Sequence, residues 1–475
     1  MSALPFHSRL MAVATSALLG ACAVLPAPSR QTPELAAPAA WQAPLPHAGS
    51  VTDLSQWWQQ FDDPLLGELI ASAQTASPSL ASARSRIEQA RAARVASGAA
   101  LGPAVNASAS ASRGRQDPGA PVGTSVAAGL QASWELDLFG ANAAGRDAAQ
   151  ARFDGAQATW HDARVSVAAE VASSYLGLRA CEAQVAQSQL DTSSRAETSR
   201  LTELSAKAGF QPPANAALAR ASAAQARASL TQQRAACDLL VKGLVALTAT
   251  AEPALRAQLA PRTARLPEPA QIVVTSVPAE ALSQRPDVFS AGRDLLAASA
   301  DITQAEAQRL PRISLAGNIG AARFESGAGS SNGAVWSIGP VAVSLPLFDG
   351  GTRRANAEAA KARHAEALAT YQVKLRTAVR EVEEALVGLQ STAERSDDAR
   401  VASDGFESSY RATEARFKGG LASLFELEDA RRTAVQAQAA LIELQRERVA
   451  AWISLYRALG GGWTAATVTQ ASSSH

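Results

Sequence analysis

Cysteine supplies the covalent chemistry that this chain's spacing arranges. Cys22 ends the run Leu19-Gly20-Ala21-Cys22, behind an apolar stretch from Leu10 to Gly20 and a single basic flank, Arg9. About eleven apolar residues make a secretory leader core, and they are too few to span a bilayer. Small residues leading into a cysteine resemble a bacterial lipobox, where the thiol is the nucleophile that takes up diacylglycerol. On this reading residues 1–21 are a signal peptide and Cys22 is the first mature residue, carrying a diacylglycerol and an N-acyl chain; the alternative is plain secretion with a coincidental cysteine. Ala23 is not aspartate, so the lipoprotein is expected to move to the outer membrane. Cys181 and Cys237 lie equally far from Gly209, hence level with each other if the chain reverses there. In an oxidising compartment they either bond or remain two separately buried thiols, and bonding needs Cα atoms within about 7 Å.

Other chemistry finds little support. His7, His47, His161, His364 and His475 share no metal-ligand spacing, and there is neither a Cys-x-x-Cys pair nor a phosphate-binding loop. Gly329-Ser330-Ser331-Asn332-Gly333 fits G-x-S-x-G by letter, but it falls in an expected surface loop between strands rather than at a strand-to-helix elbow. No catalytic residue, metal ligand or cofactor beyond the acyl groups on Cys22 is therefore assigned. Lys plus Arg number 44 against 43 Asp plus Glu, and Arg9 in the leader accounts for the excess, which leaves no basic surplus for nucleic acid. No apolar run of about 18 residues follows the leader, so a membrane crossing would have to be made by strands.

Hydrophobic residues make up 47% of the chain but aromatics only 5%, and alanine supplies much of the rest, as suits long, closely packed helices. Pro26, Pro28, Pro33, Pro38, Pro44 and Pro46 mark residues 22–60 as an extended tether. Proline-free gaps then predict uninterrupted helices over 142–207, 214–250, 352–418 and 421–459, and helices over 65–98 and 279–309, which include Pro78 and Pro286, are expected to complete the partners of the longest ones. The two longest, each about 66 residues, make rods of roughly 100 Å. Leu368, Leu375, Val379, Val382, Leu386 and Leu389 recur at spacings of three and four, a coiled-coil seam. The reversals fall at Lys207-Ala208-Gly209-Phe210 and Lys418-Gly419-Gly420-Leu421, where glycine supplies left-handed backbone. Pro253, Pro261, Pro267, Pro269 and Pro278 make 251–278 a connector.

At a shift near 209 residues the chain superposes on itself: Pro78 on Pro286, Pro103 on Pro311, Leu138-Phe139 on Leu347-Phe348, Gly209 on Gly420. Residues 61–250 and 279–462 are thus two copies of one unit, with 463–475 a tail. Ahead of each long helix the hydrophobic period drops to two. Val126, Ala128, Leu130, Ala132 and Trp134 alternate with polar or small residues, and Val105 to Ala111, Ile313 to Ile319 and Val341 to Leu347 do the same. These are read as membrane strands joined by loops at 113–124 and 325–335. Four strands leave two open edges, so closure is expected from other copies, three chains giving about twelve strands.

These segments resemble the TolC-like outer-membrane factors, in their lipoprotein, NodT-like branch. Trp134-Glu135-Leu136-Asp137-Leu138-Phe139-Gly140, Leu282-Ser283-Gln284-Arg285-Pro286-Asp287-Val288, Leu345-Pro346-Leu347-Phe348-Asp349-Gly350-Gly351 and Leu455 to Trp463 carry the likeness. It implies a mainly α protomer with long coiled-coil hairpins and four β-strands, and a homotrimer with a 12-stranded barrel above a periplasmic helical tunnel. It further implies docking of the hairpin tips, Lys207, Gly209, Lys418, Gly419 and Gly420, on a periplasmic membrane-fusion adaptor and an inner-membrane efflux pump. The family's periplasmic gate maps to Phe425, Asp429 and Arg432, spaced to share one helix face. Phe210-Gln211-Pro212-Pro213 departs from the family's first tip. The expected function is an outer-membrane conduit for small-molecule efflux, lipid-anchored and reaching into the periplasm. A protein-secretion conduit and a lumenless coiled-coil scaffold are the alternatives.

Overall fold

The structure, a computed structural model, describes residues 41–43, 54–115, 121–267, 282, 285–327 and 329–463. Cys22 and the leader lie outside the described residues. Helices α1 (Pro64–Ala76) and α2 (Pro78–Ala99) precede strands β1 (Ala104–Gly114) and β2 (Gly123–Leu136). The long helix α3 (Ala141–Lys207) then reverses into α4 (Pro213–Thr248), followed by a short α5 (Glu252–Leu259). The second copy repeats the order: α6 (Pro286–Ala307), β3 (Arg312–Ser326), β4 (Gly329–Ser344), α7 (Thr352–Lys418) and α8 (Leu424–Ala458). Helices α3 and α7 are 67 residues each, as their proline-free sequences require. Leu375, Val382, Leu386 and Leu389 of the expected seam are buried.

The expected single helix over 65–98 is two helices. Ser77 turns extended, with ψ 119°, because Pro78 excludes its predecessor from helical angles and has no N–H to continue the ladder. The tether is also shorter than 22–60. Leu54–Phe61 forms a 3-10 turn, and its Trp57 is 1% exposed, with its ring 5.6 Å from Tyr456 and 6.1 Å from Trp452. Aromatic side chains at 57, 58 and 61 supply the apolar face that fixes this segment to the core. In the connector 251–278, α5 buries Leu255 and Leu259, and Pro253 is tolerated because it lies in the first turn. Trp463, assigned to the tail, is buried with its ring 5.1 Å from that of Phe289.

Two compact units emerge, and they cut across the sequence copies. One combines described residues of 88–155 and 291–371; the other combines 41–87, 156–290 and 372–463. The first holds the four-stranded antiparallel sheet, in the order β1-β2-β3-β4. Strands β3 and β4 run into residues 326 and 329, so the loop expected at 325–335 is ladder, and Gly329-Ser330-Ser331-Asn332-Gly333 lies within β4. Backbone pairing needs no apolar side chain, which is why a Ser- and Gly-rich stretch can be strand.

The second unit is built around Trp57, Phe61, Tyr175, Leu386, Trp452 and Tyr456. Two buried polar groups lock its entry points. Asp63 caps the N-terminus of α1 and accepts the Tyr175 hydroxyl at 2.6 Å. Arg285, 5% exposed, donates to Asp287, to Glu381 and to the Ala458 carbonyl at 3.0 Å, tying α6 to α7 and the end of α8. Burial opposes ionisation of Asp287, but hydrogen bonding and charge from Arg285 outweigh it and hold the carboxyl below its usual range. His161 sits beside Trp160 and Trp463, and burial, then the Arg164 charge, pushes it down to about 4.

Candidate functional site

The residues singled out for docking and gating cluster where the helical hairpins reverse. Both reversals use the same backbone device. Phe210 N–H donates to Ser205 O at 2.9 Å and Gly209 N–H to Ala206 O at 3.1 Å; Leu421 N–H donates to Arg416 O at 2.8 Å and Gly420 N–H to Phe417 O at 3.0 Å. These are paired Schellman bonds, and each needs positive φ at its glycine, 77° at Gly209 and 74° at Gly420. Lys207, Gly209, Lys418, Gly419 and Gly420 are all exposed, and Phe210 and Leu421 are 82% and 75% exposed at the apices. After the apex the copies diverge. Helix α4 starts on Pro212-Pro213 with no side-chain cap, whereas α8 starts with a full capping box between Ser423 and Glu426.

Phe425, Asp429 and Arg432 follow on one face of α8. Phe425 is 76% exposed, and Asp429 and Arg432 form an exposed ion pair one turn apart. Their neighbours Glu428 and Arg431 make a second pair at the same spacing, turned the other way. Arg431 is 1% exposed, and its guanidinium donates to Thr198 Oγ1 at 2.9 Å and Ser194 Oγ at 3.0 Å on α3 while covering the Tyr410 ring on α7. Glu428 accepts from Arg195 on α3 at 2.9 Å and from Ser222 on α4 at 2.8 Å. One polar cluster thus joins all four helices of the two hairpins. The sequence reading missed Glu428 and Arg431, yet a signal existed: Arg431 occupies an apolar stripe position, in step with buried Leu424, Leu427 and Ala434.

The structure joins Cys181 and Cys237 in a disulfide, with Cα atoms 5.6 Å apart. The bond spans 56 residues and encloses the lower part of the α3–α4 hairpin with its tip. In the sheet unit, the two strand-to-helix turns share a device as well. The Asp137 carboxylate accepts from the N–H groups of Asn142 and Ala143, and Asp349 accepts from those of Gly351 and Arg353, satisfying first-turn donors of α3 and α7.

A profile of the outer membrane efflux protein family matches residues 69–250 and 277–461, most of both sequence copies. This chain belongs to the outer membrane efflux protein family. The channel is 30% identical to the pyoverdine export outer membrane protein OpmQ of Pseudomonas putida, over 98% of this chain and all of that one. It is also 30% identical to the outer membrane protein OprJ of Pseudomonas aeruginosa, over 94% of each. Among solved structures, the outer-membrane channel OprN superposes with a TM-score of 0.83 at 30% identity, covering 92% of this chain and 99% of that one. The protein is thus an outer-membrane efflux channel with a TolC-like, mainly helical fold carrying a few strands. Its strand-to-helix motifs are explained by the Asp137 and Asp349 caps, and its second-copy opening by the Arg285 clamp.

Proposed function

We propose that three copies of this chain close a twelve-stranded barrel in the outer membrane and continue into the periplasm as a ring of helices, a passive conduit for small molecules. The sheet's open edges carry this reading. Strands β1 and β4 each lack an outer neighbour among the described residues, while one sheet face exposes Leu130, Ile319, Trp336 and Val341. In hydrocarbon an unpaired edge costs several kcal/mol per group. Pairing β4 of one copy with β1 of the next removes both edges and closes with cyclic symmetry.

A diacylglycerol and an N-acyl chain on Cys22 anchor the protein in outer-membrane lipid. The exposed apices around Phe210 and Leu421 suit docking on a periplasmic membrane-fusion adaptor, which couples the conduit to an inner-membrane pump that supplies the energy. Phe425, Asp429 and Arg432 form the periplasmic gate, and no residue is assigned a catalytic role. The relative's role in pyoverdine export supports a small-molecule cargo.

Planar-bilayer conductance of purified protein, wild type beside Asp429→Ala, tests both parts. Larger steps from the variant support a gate at Asp429. Equal large steps from both discard the gate and keep the pore. If both insert and neither conducts, the conduit gives way to a coiled-coil scaffold.

A further inference from the structure

The strand register sorts the sheet's side chains by face. Ala107, Leu130, Ile319 and Trp336 form one row across all four strands. The next row, on the opposite face, is Asn106, Gln131, Asn318 and Ser337. Every strand therefore places an uncharged hydrogen-bonding side chain at the same level, and the three amides are exposed. The rows beside it on that face carry smaller groups: Ser108, Gly129, Gly320 and Val335 on one side, Ala104, Ser133 and Ala316 on the other. Among these three rows the carboxamides reach furthest from the backbone, while the longer Phe324, Glu135 and Arg312 stand on the same face nearer the strand ends.

The glycine pair shows which way this face bends. A Cβ on Gly320 would stand 2.4 Å from Ala128 O and 2.8 Å from Gly129 Cα, and one on Gly129 would stand 2.7 Å from Ile319 O. Side chains crowd on the concave side of a bent sheet, and glycines without Cβ relieve the crowding there. The amide-bearing face is therefore the concave one, turned away from the apolar row. Charge on that face within the described strands is confined to the helix-proximal ends, at Glu135 and Arg312, which are of opposite sign.

We infer that Asn106, Gln131, Asn318 and Ser337 form an uncharged hydrogen-bonding girdle inside the barrel, the level at which passing solutes exchange water for protein amides. This rests on the trimeric barrel proposed above. Carboxamides offer both donors and acceptors, so the girdle accepts neutral and zwitterionic polar solutes and attracts neither sign of ion. Charge selection is left to the helical end of the conduit.

Two measurements on the full-length protein test this. Single-cysteine variants Asn318→Cys and Gln131→Cys, reconstituted in vesicles, are treated with a charged, membrane-impermeant methanethiosulfonate and read by mass. Both should react, and Ile319→Cys, one residue away on the other face, should not; wild type controls for the native cysteines. Reaction at Ile319→Cys with silence at the two girdle positions overturns the inference. In bilayers, Gln131→Glu and Asn318→Asp, each made in wild type and in Asp429→Ala, should raise the K+/Cl− permeability ratio at least about threefold by adding carboxylates to the ring. An unchanged ratio in both backgrounds also overturns it. If no protein conducts, the conduit reading fails, while the thiol result still decides which face is wet.

Discussion

The two helical hairpins have nearly the same backbone and are held in different ways. Each pairs a 67-residue helix with a returning helix of about half its length, 36 residues in the first and 35 in the second, and each turns on a Schellman glycine. The first is stapled by Cys181–Cys237 and restarts on two prolines. The second has no cysteine; it restarts on a capping box and carries the exposed Phe425, Asp429 and Arg432 face. Duplication preserved what the backbone needs, and side chains then made one hairpin covalently closed and left the other to weaker contacts. On these contacts the first hairpin is expected to resist opening more than the second.

Removing the staple should have the largest effect. For a loop of this length, Cys181→Ala with Cys237→Ala costs about 4 kcal/mol on loop-closure grounds. Amide hydrogen exchange should speed up between residues 182 and 236 and stay unchanged in α8; equal loosening of both hairpins would erase the distinction drawn here. Arg431→Ala should come next, at about 3 kcal/mol, because it strips a buried partner from Glu428 and from hydroxyls on α3 and α7. Faster exchange in both hairpins is the expected result, and a change confined to α8 would show that the cluster does not couple them. Arg431→Lys should recover only part of the protection, since an ammonium cannot reproduce the guanidinium fork. Ser423→Ala should cost about 1 kcal/mol and act on the first turn of α8 alone. The exposed Asp429–Arg432 pair should contribute least to stability, so Asp429→Ala should leave exchange unchanged while altering current.

Much of this was legible in the residues. The ends of α3 and α7 fall within a residue of those expected from proline and glycine, and alternation located β1, β2 and the first half of β3, but it placed the fourth strand at Val341 to Leu347 where β4 runs Gly329–Ser344. The misses have a common cause. The turn at Leu54–Phe61 and helix α5 are short segments stabilised by burying Trp57, Phe61, Leu255 and Leu259, so local propensity alone does not announce them. The break before Pro78 is readable in the proline itself, which bars Ser77 from helical angles. Phe425, Asp429 and Arg432 share an exposed face as their spacing requires, whereas the burial of Arg431 was not legible, because a charged residue at an apolar stripe position reads as noise until its partners are seen.

By itself the sequence determined the lengths of the two longest helices, the points of reversal and the strand faces. Those depend on constraints acting over a few residues: a missing N–H, a permitted positive φ, an alternation of two. Tertiary structure alone decided three further things. Cys181 and Cys237 meet because helix phase, which drifts unreadably over the 28 residues to the tip, happens to aim both inward. Arg431 points inward and Arg432 outward because the neighbouring hairpin lies on one side of α8. And Asn106, Gln131, Asn318 and Ser337 share a level because register, a relation between strands far apart in the chain, is set by pairing and not by any strand's own residues.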